Sequence, residues 1–430
     1  MTPSDASADV VRRAFSSTAG PVRIFKQTGN STSIGCQSVT GGEVVHRDTP
    51  ADVLGYGFMF NPGAISSGAR GIGAARLRPD TLRDFVPIYE QNFPGKSPGE
   101  SHGTSMLSWL AWRRAHLALP QELMLYRAHG AAGKSLREIS KGTQPYENGL
   151  VELRRATEIA AGYGKRVVCE DCIISNGTQE RKAGVGRSQF VRELEEIARD
   201  HKVDWSQITG QTEDIRTWIT QLSANFTPAR AIGSEISLAQ LDFVRSNKLA
   251  RMVGPRYPFQ YADVSHFVAE RGYIWEGEYI AKAIFQEIQG VPWKALGQDI
   301  LIRRDGRNVF VHFDRGGLTI DKTTLPPAPQ LGFAVHEGDA QICIEDVLVF
   351  GERQKDDSVR LALEREPEGD DLWLSYSFDG PGSRLRSEAG CPGPAAWGNL
   401  RDCDPTPSRY FRGESLPNWC VVMKERIHRQ

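Results

Sequence analysis

Four short polar stretches of this sequence hold the residue types that acyl-transfer chemistry needs. They are GNSTSIG at residues 29–35, HGAAGKS at 129–135, SNGTQE at 175–180 and YADVSHF at 261–267. Together they supply serines, glycine-rich backbone, side-chain amides and an Asp-x-x-His pair. Such groups can act as a nucleophile, as donors to an oxyanion, as a general base and as the carboxylate that orients the base. If the four stretches lie together, the sequence predicts an acyl-transfer site.

The segments between these stretches predict an α/β architecture. Short apolar runs indicate strands, and apolar residues at helical spacing indicate helices between them. The predicted strands cover residues 22–27, 122–128, 166–174, 249–254 and, more weakly, 204–209. The predicted helices cover residues 104–117, 150–162, 188–200 and 273–288. This alternation favours a parallel sheet with helices on both faces, and the first three polar stretches should converge at the edge where the strands end.

The pattern changes after residue 290, where alternation with a period of two replaces helical spacing. The run DILIRRDGRNVFVHF at 299–313 predicts two strands around Asp305-Gly306, a dipeptide typical of hairpin turns. Further alternating segments follow, separated by Gly, Pro or Asp, and they predict an antiparallel, β-sandwich-like domain. The sequence thus divides into an N-terminal arm at 1–20, an α/β domain at 21–291 and a C-terminal β domain at 292–430.

The order and spacing of the polar stretches resemble those of the SGNH, or GDSL-type, hydrolases. The resemblance is to the sialate O-acetylesterase-like branch and its relatives that act on acetylated polysaccharides. Ser31 falls on the nucleophile position, although Asn30 replaces the usual glutamine, and Asp263 and His266 match the Asp-x-x-His block. The resemblance covers about residues 22–290. It implies a three-layer α/β/α sandwich with about five parallel strands, and a Ser31–His266–Asp263 triad that needs no metal or cofactor.

The same resemblance implies three hydrogen-bond donors for the oxyanion. Two are the backbone N–H groups of Ser31 and of Gly133, which falls in the second block of the family. The third is the side-chain amide of Asn176, at the position where that branch has a glutamine or a related block with asparagine. Asparagine is one methylene shorter than glutamine, so Gln179 in the same stretch is the alternative third donor.

A second serine lies in a motif that could also carry catalysis. The segment GESHG at 99–103 has the Gly-x-Ser-x-Gly spacing of the nucleophile elbow in α/β-hydrolases. That elbow requires a strand directly before it, whereas the loop-like segment NFPGKSP precedes Ser101. Ser101 is the candidate nucleophile only of the alternative hypothesis, in which the protein is a lipase-like or peptidase-like hydrolase. His102 and His129 are the alternatives to His266 as the base.

Other motifs support no separate function. GAAGKS lacks the first glycine of a phosphate-binding loop, because Ala128 occupies that position. Cys169 and Cys172 form a CxxC within a strand-like run and not at a helix start, and no second ligand pair has zinc spacing. The seven cysteines are sparse and odd in number, which does not indicate a disulfide framework, although Cys391 and Cys403 could pair.

Composition and charge exclude some partner classes. The 430 residues carry a net charge of -1, without the clustered positive charge of a nucleic-acid-binding surface. No apolar run approaches the roughly 20 residues of a membrane span. The N-terminal residues lack the apolar core of a signal peptide. We therefore expect no nucleic acid and no membrane span, and a chain that is cytoplasmic, phage-borne or secreted after loss of its leader.

The sequence predicts a serine esterase that removes acetyl, or another small acyl group, from a carbohydrate or polysaccharide. A rival hypothesis from a different class is a catalytically inactive module that binds carbohydrate or builds a phage tail or surface appendage. The C-terminal β domain is a candidate carbohydrate-binding domain, because the tryptophans of WGNLRD at 397–402 and LPNWC at 416–420 could stack on sugar rings. The same tryptophans could instead belong to the core.

Overall fold

The structure is a computed structural model that describes residues 3–35, 43–61, 63, 75–90, 99–223, 225–227, 230–232, 235–263, 265–351, 356–378, 394 and 396–428. Its first nine strands are β1 (Val22–Gly29), β2 (Gly57–Phe60), β3 (Phe85–Pro87), β4 (Leu123–Gly130), β5 (Val167–Ser175), β6 (Arg216–Gln221), β7 (Asn225–Thr227), β8 (Arg230–Ile232) and β9 (Ala250–Pro255). Within the described residues, seven of them form one sheet in the order β3-β2-β4-β1-β5-β6-β9, and β7 pairs with β8. Every neighbouring pair in the large sheet is parallel except β2 and β3.

The described helices are α1 (Pro3–Ser17), α2 (Gly103–His116), α3 (Gln144–Gly162), α4 (Thr178–Lys182), α5 (Arg187–Thr209), α6 (Glu235–Ser246) and α7 (Trp275–Ile288). Side chains of β1 show that both faces of the sheet are covered, because successive residues of a strand point to opposite faces. Lys26 reaches Glu152 of α3, whereas Gln27 contacts His102 at the start of α2 on the other face. None of these helices is long and apolar enough to cross a membrane.

The observed α/β part corrects the sequence prediction at two places, which are one strand and the number of strands. The strand predicted at 204–209 is wrong: those residues form the last turns of α5, which ends before Gly210 with a left-handed φ of 68°. The strand that occupies this place in the sheet is β6, and the large sheet has seven strands instead of about five. The segment predicted as an arm contains α1, whose Phe15 packs on Phe58 and Phe85.

After α7 the described chain contains strands joined by turns and irregular segments, and no α-helix. These strands are β10 (Ile300–Asp305), β11 (Asn308–Phe313), β12 (Leu318–Ile320), β13 (Phe333–Glu337), β14 (Ala340–Ile342), β15 (Ile344–Phe350), β16 (Ser358–Leu363), β17 (Leu372–Tyr376), β18 (Leu400–Asp402) and β19 (Met423–Arg426). They form antiparallel sheets in the orders β10-β11-β16-β15, β14-β13-β17-β19 and β12-β18. The predicted hairpin is confirmed, and its turn lies at Gly306-Arg307 because Asp305 pairs with Asn308.

The C-terminal segment packs against the elements that end near the polar stretches. The side-chain amide of Gln221, at the end of β6, donates to the carbonyl oxygen of Val422 at 2.8 Å. The hydroxyl of Tyr257, just after β9, donates to the carbonyl oxygen of Cys420 at 2.8 Å. On α7, the buried ammonium of Lys282 donates to the carbonyl oxygen of Leu416. The last part of the chain therefore supports β6, β9 and α7 from outside the large sheet.

Candidate active site

The first polar stretch forms a tight turn at the end of β1, called here the Ser31 turn (residues 30–35). Gly29 has a φ of +147°, and a Cβ at this position would lie 2.1 Å from the carbonyl oxygen of Ser175 in β5. Only glycine fits so close to the neighbouring strand. The Asn30 N–H donates to that same carbonyl at 3.2 Å. The strand end is thereby fixed one residue before Ser31.

Hydrogen bonds inside the Ser31 turn leave its serine available. The side-chain oxygen of Asn30 accepts from the backbone N–H of Thr32 at 3.2 Å and from its hydroxyl at 3.0 Å. Residues Ser31–Ile34 form one turn of 3₁₀ helix, which Gly35 ends in the left-handed region with a φ of 72°. Thr32 and Ser33 are buried, whereas Ser31 is half-buried. The turn therefore presents one hydroxyl to the outside.

Ser31, His266 and Asp263 are joined by two hydrogen bonds. The Nε2 atom of His266 lies 2.8 Å from Oγ of Ser31, and its Nδ1 atom lies 2.7 Å from Oδ2 of Asp263. An ionised carboxylate can only accept, so Nδ1 carries the ring proton and Nε2 is left to accept from the serine hydroxyl. This is the arrangement in which a histidine acts as general base toward serine.

The Asp263 carboxylate is held in its charged form. Burial alone would raise the pKa of Asp263, but hydrogen bonds from the His266 ring and from the backbone N–H groups of Ser265 and His266 outweigh burial and lower it. Those two N–H groups lie 2.7 and 2.9 Å from Oδ1. The side chains of Asp263 and His266 keep 33% and 24% of their surface exposed, so a small substrate can reach the imidazole.

The predicted oxyanion donors lie in different surroundings. Among the described residues, nothing accepts from the Ser31 N–H, so this group is available. Gly133 is exposed, with a φ of +73° and open space around it, and no described contact joins it to the Ser31 turn. Asn176 directly follows the Ser175 that bonds Asn30. Its buried amide donates to Oε1 of Glu180 at 3.1 Å, which occupies one of its two N–H groups.

The alternative donor Gln179 lies one turn further, on α4. Its side chain is half-buried and makes no hydrogen bond with the described residues. The buried Oδ1 of Asn176 likewise has no partner there. Both amides thus remain candidates for the third oxyanion contact.

The alternative residues are placed differently. Ser101 is fully buried, and its hydroxyl donates to Oε1 of Glu90 at 2.8 Å, with no histidine as partner. His102 is fully buried between Gln27 and Glu276. The pKa of His129 is lowered to about 3, first by burial and then by the charge of Lys26. None of the three is positioned to act on a substrate at the surface.

A buried polar network behind the Ser31 turn was not predicted from the sequence. It runs from Gln27 of β1 through His102 and Glu276 to Arg256, whose Nη1 atom lies 3.5 Å from Oγ1 of Thr32. These residues are up to 249 positions apart in sequence, so no local spacing connects them. The one usable signal is Glu276 itself, because a carboxylate inside the apolar run GYIWEGEYIAKAI implies a buried partner.

The remaining sequence candidates belong to the protein interior. Cys169 and Cys172 are buried in β5, where burial raises the pKa of both thiols and disfavours the reactive thiolate. Trp397 and Trp419 are buried, with 8% and 3% of their surface exposed, so they are core residues and not platforms for a sugar. Cys403 is unpaired, and Cys391 lies outside the described residues.

No protein-family model matches this sequence, and no curated protein matches it significantly. The crystal structure of XAC1771, described as a carbohydrate acetylesterase from Xanthomonas citri, is similar over 94% of this chain and 80% of its own, with a TM-score of 0.54 and 12% identity. NanS is similar over 63% of this chain and 99% of its own, with a TM-score of 0.40 and 12% identity. A protein from Arabidopsis thaliana is similar over 62% of this chain and 98% of its own, with a TM-score of 0.39 and 13% identity. The first likeness shows that this chain shares the overall fold of XAC1771.

Proposed function

We propose that this protein is a serine esterase that removes acetyl, or another small acyl group, from a carbohydrate. The observation that carries the proposal is the position of His266, within hydrogen-bond distance of both Ser31 and Asp263 at a half-exposed site. A histidine in this position can move a proton between a serine and a leaving group. The likeness of the fold to XAC1771, a carbohydrate acetylesterase, supports the choice of substrate class.

The proposed reaction has two halves. Oγ of Ser31 attacks the ester carbonyl carbon while Nε2 of His266 takes the hydroxyl proton, and Asp263 stabilises the imidazolium that forms. The tetrahedral intermediate then expels the sugar alkoxide, which takes the proton from His266 and leaves as an alcohol. Water, activated by the same imidazole, attacks the acyl-serine and releases acetate and free Ser31.

The oxyanion of each intermediate needs hydrogen-bond donors that are already in place. We assign the Ser31 N–H to this role because it has no acceptor among the described residues. The Gly133 N–H and the amide of Asn176, or that of Gln179, complete the proposed set. A donor of this kind contributes roughly 10²- to 10³-fold to kcat.

The proposal is tested by measuring acetate release from a panel of acetylated sugars and from matched acetate esters of simple alcohols. The full chain and the Ser31→Ala variant are compared at equal concentration of folded protein. We expect acetate from at least one acetylated sugar, faster than from the simple esters, and none above background from Ser31→Ala. Release from simple esters alone would remove the carbohydrate from the proposal.

The same panel of esters distinguishes an esterase from the rival hypothesis, a catalytically inactive module that binds carbohydrate. Sugar binding by calorimetry without any acetate release, from sugars or from simple esters, would overturn the esterase and favour that module. Full activity in Ser31→Ala would overturn the assignment of the nucleophile.

A further inference from the structure

A buried pair of opposite charges joins the end of β9 to the start of α7. Arg256 directly follows β9 and Glu276 is the second residue of α7; their side chains are 3% and 0% exposed. The Nε atom of Arg256 donates to Oε1 of Glu276 at 2.8 Å. A buried charge is costly unless it is paired in this way, so the two residues depend on each other.

The guanidinium of Arg256 also reaches the two loops of the candidate site. Its Nη1 atom lies 3.5 Å from Oγ1 of Thr32, the residue after Ser31. Its central carbon lies 5.5 Å from the ring centroid of Phe267, the residue after His266. A cation at this distance from an aromatic ring is attracted to it. One side chain thus contacts the immediate neighbours of both the serine and the histidine.

The backbone of Arg256 is held by hydrogen bonds of its own. Its N–H donates to the carbonyl oxygen of Gln221 in β6 at 3.0 Å. Its carbonyl oxygen accepts from the N–H of Phe259 at 3.2 Å and from the hydroxyl of Tyr261 at 3.3 Å. The side chain of Arg256 is therefore attached to a backbone segment that is held at the end of the sheet. A side chain that positions other groups requires such support.

Glu276 ties the pair to β1 as well. Its second oxygen accepts from Nε2 of His102 at 2.7 Å, and Nδ1 of His102 accepts from the side-chain amide of Gln27, four residues before Ser31. Burial would raise the pKa of Glu276, but the charge of Arg256 and the contact with His102 outweigh burial and lower it to about 2. The carboxylate is thus ionised at neutral pH and balances the guanidinium.

A second arginine–glutamate pair on the same two elements provides an internal comparison. Arg251 of β9 donates from Nε to Oε1 of Glu287 on α7 at 2.5 Å, and both side chains are largely buried. The Nη2 atom of Arg251 also donates to Oε2 of Glu287 at 3.5 Å, and its remaining hydrogen bonds go to the carbonyl oxygens of Lys248 and Ala250. Both pairs tie β9 to α7, but only Arg256 contacts the two loops of the candidate site.

We propose that Arg256 is a positioning residue for the Ser31–His266 pair, holding the Ser31 turn through Thr32 and the base through Phe267. This inference rests on the proposed esterase function. Proton transfer requires Oγ of Ser31 to stay within hydrogen-bond reach of Nε2 of His266, and a displacement of about 1 Å can cost on the order of 10² in rate. Loss of Arg256 should therefore lower kcat and leave KM for a small ester almost unchanged.

The test compares Arg256→Met with Arg251→Met in the full chain, using 4-nitrophenyl acetate as substrate. We expect kcat to fall about 10²-fold in Arg256→Met with KM within about twofold, and both constants to stay within about twofold in Arg251→Met. Equal kcat losses in the two variants, or a loss carried by KM, would overturn the positioning role. Wild type without any ester hydrolysis would instead overturn the proposed function.

The double variant Arg256→Met/Glu276→Gln separates positioning from stability. It removes both buried charges, so its melting temperature should recover toward that of wild type. We expect kcat to stay about 10²-fold low, because neither new side chain can hold Thr32 and Phe267 as the guanidinium does. Recovery of kcat together with the melting temperature would show that Arg256 acts only through stability, which would overturn the inference.

Discussion

Two serine turns of this molecule look alike in sequence and differ in their surroundings. Each serine lies close to glycines at or just before the start of a helical turn, and each hydroxyl contacts a titratable side chain. Ser31 is half-buried, and its partner is His266, which an aspartate orients. Ser101 is fully buried, and its partner is Glu90. The better match to a general nucleophile motif is at Ser101, yet the arrangement that can do chemistry is at Ser31.

The partner of each serine explains the difference. Burial, with the nearby charge of Glu100, raises the pKa of Glu90 to about 7. Its Oε1 accepts from the hydroxyls of both Ser101 and Thr104 at the start of α2, so this carboxyl satisfies buried donors and faces no substrate. His266 instead has a partly exposed ring with one nitrogen free to accept a proton. Under the proposed function, exposure and the side-chain partner distinguish the two serines, and the spacing of glycines does not.

The largest expected effect is on kcat when Ser31 is removed. Ser31→Ala should lower kcat for 4-nitrophenyl acetate at least ~10³-fold, because the nucleophile of a triad is lost. Ser101→Ala should keep kcat within about twofold and lose about 1 kcal/mol of stability with its hydrogen bond to Glu90. Steady-state kinetics and urea unfolding of both variants measure this. A large kcat loss in Ser101→Ala at full folding would reverse the comparison of the two turns.

The second effect concerns the base. If His266 must be neutral to accept the proton of Ser31, kcat/KM should decrease on acidification along a limb that reports one proton. Protonation of Asp263 should not contribute to this decrease in kcat/KM, because the pKa of Asp263 lies below its usual range. His266→Ala should lose the limb together with the activity, whereas His336→Ala in β13 serves as the control and should keep both. A wild-type profile without such a limb would contradict the role of His266.

A smaller effect is expected at the oxyanion. Asn176→Ala should lower kcat about 10²-fold with little change in KM, because a donor that acts on the developing charge is removed. Gln179→Ala in the same stretch should change kcat by less than about fivefold. The opposite ranking would assign the donor to Gln179. If neither variant lost activity, the site would work with backbone donors alone.

The last effect is on stability instead of kcat, and it depends on pH. Glu276 has an ordinary pKa of 4.5 and a folded-state pKa of about 2, so its contribution is complete above pH 4.5 and is lost as the pH falls toward 2. Glu276→Gln should be less stable than wild type by about 3 kcal/mol at pH 7, because Arg256 is left buried without its partner. Urea unfolding should show this gap narrowing between pH 4.5 and pH 3. A gap that is constant with pH would contradict the charged state of Glu276.

The sequence predicted the parts of the fold that depend on local periodicity. In the α/β part, four of the five predicted strands and all four predicted helices have counterparts in the described structure, with shifted ends. The strand at 204–209 failed because VDWSQIT belongs to the long amphipathic helix α5, in which Trp205 is buried and Val203 is exposed, and tertiary packing overrides propensity there. The β2–β3 pair was not predicted, since its strands have only four and three residues, and α6 was not predicted either.

The candidate site was predictable where its residues follow strands or, as Asp263 and His266 do, form a short motif. Ser31 and Asn176 come directly after β1 and β5, and topology alone brings such positions to one edge of a parallel sheet. The contacts of Arg256 depend on how a loop after β9 folds back over the sheet, which local spacing does not encode. Long-range packing of charged groups therefore remains the part that only three-dimensional structure supplies.

The central claim, that Ser31 is the nucleophile, is tested most directly by labelling with a serine-reactive phosphonate. The full chain is treated, its intact mass is measured, and the modified peptide is sequenced by mass spectrometry. We expect a single adduct on Ser31, absent from Ser31→Ala and unaffected in Ser101→Ala, with loss of ester hydrolysis in proportion to labelling. An adduct on Ser101, or hydrolysis that survives complete labelling of Ser31, would contradict the account.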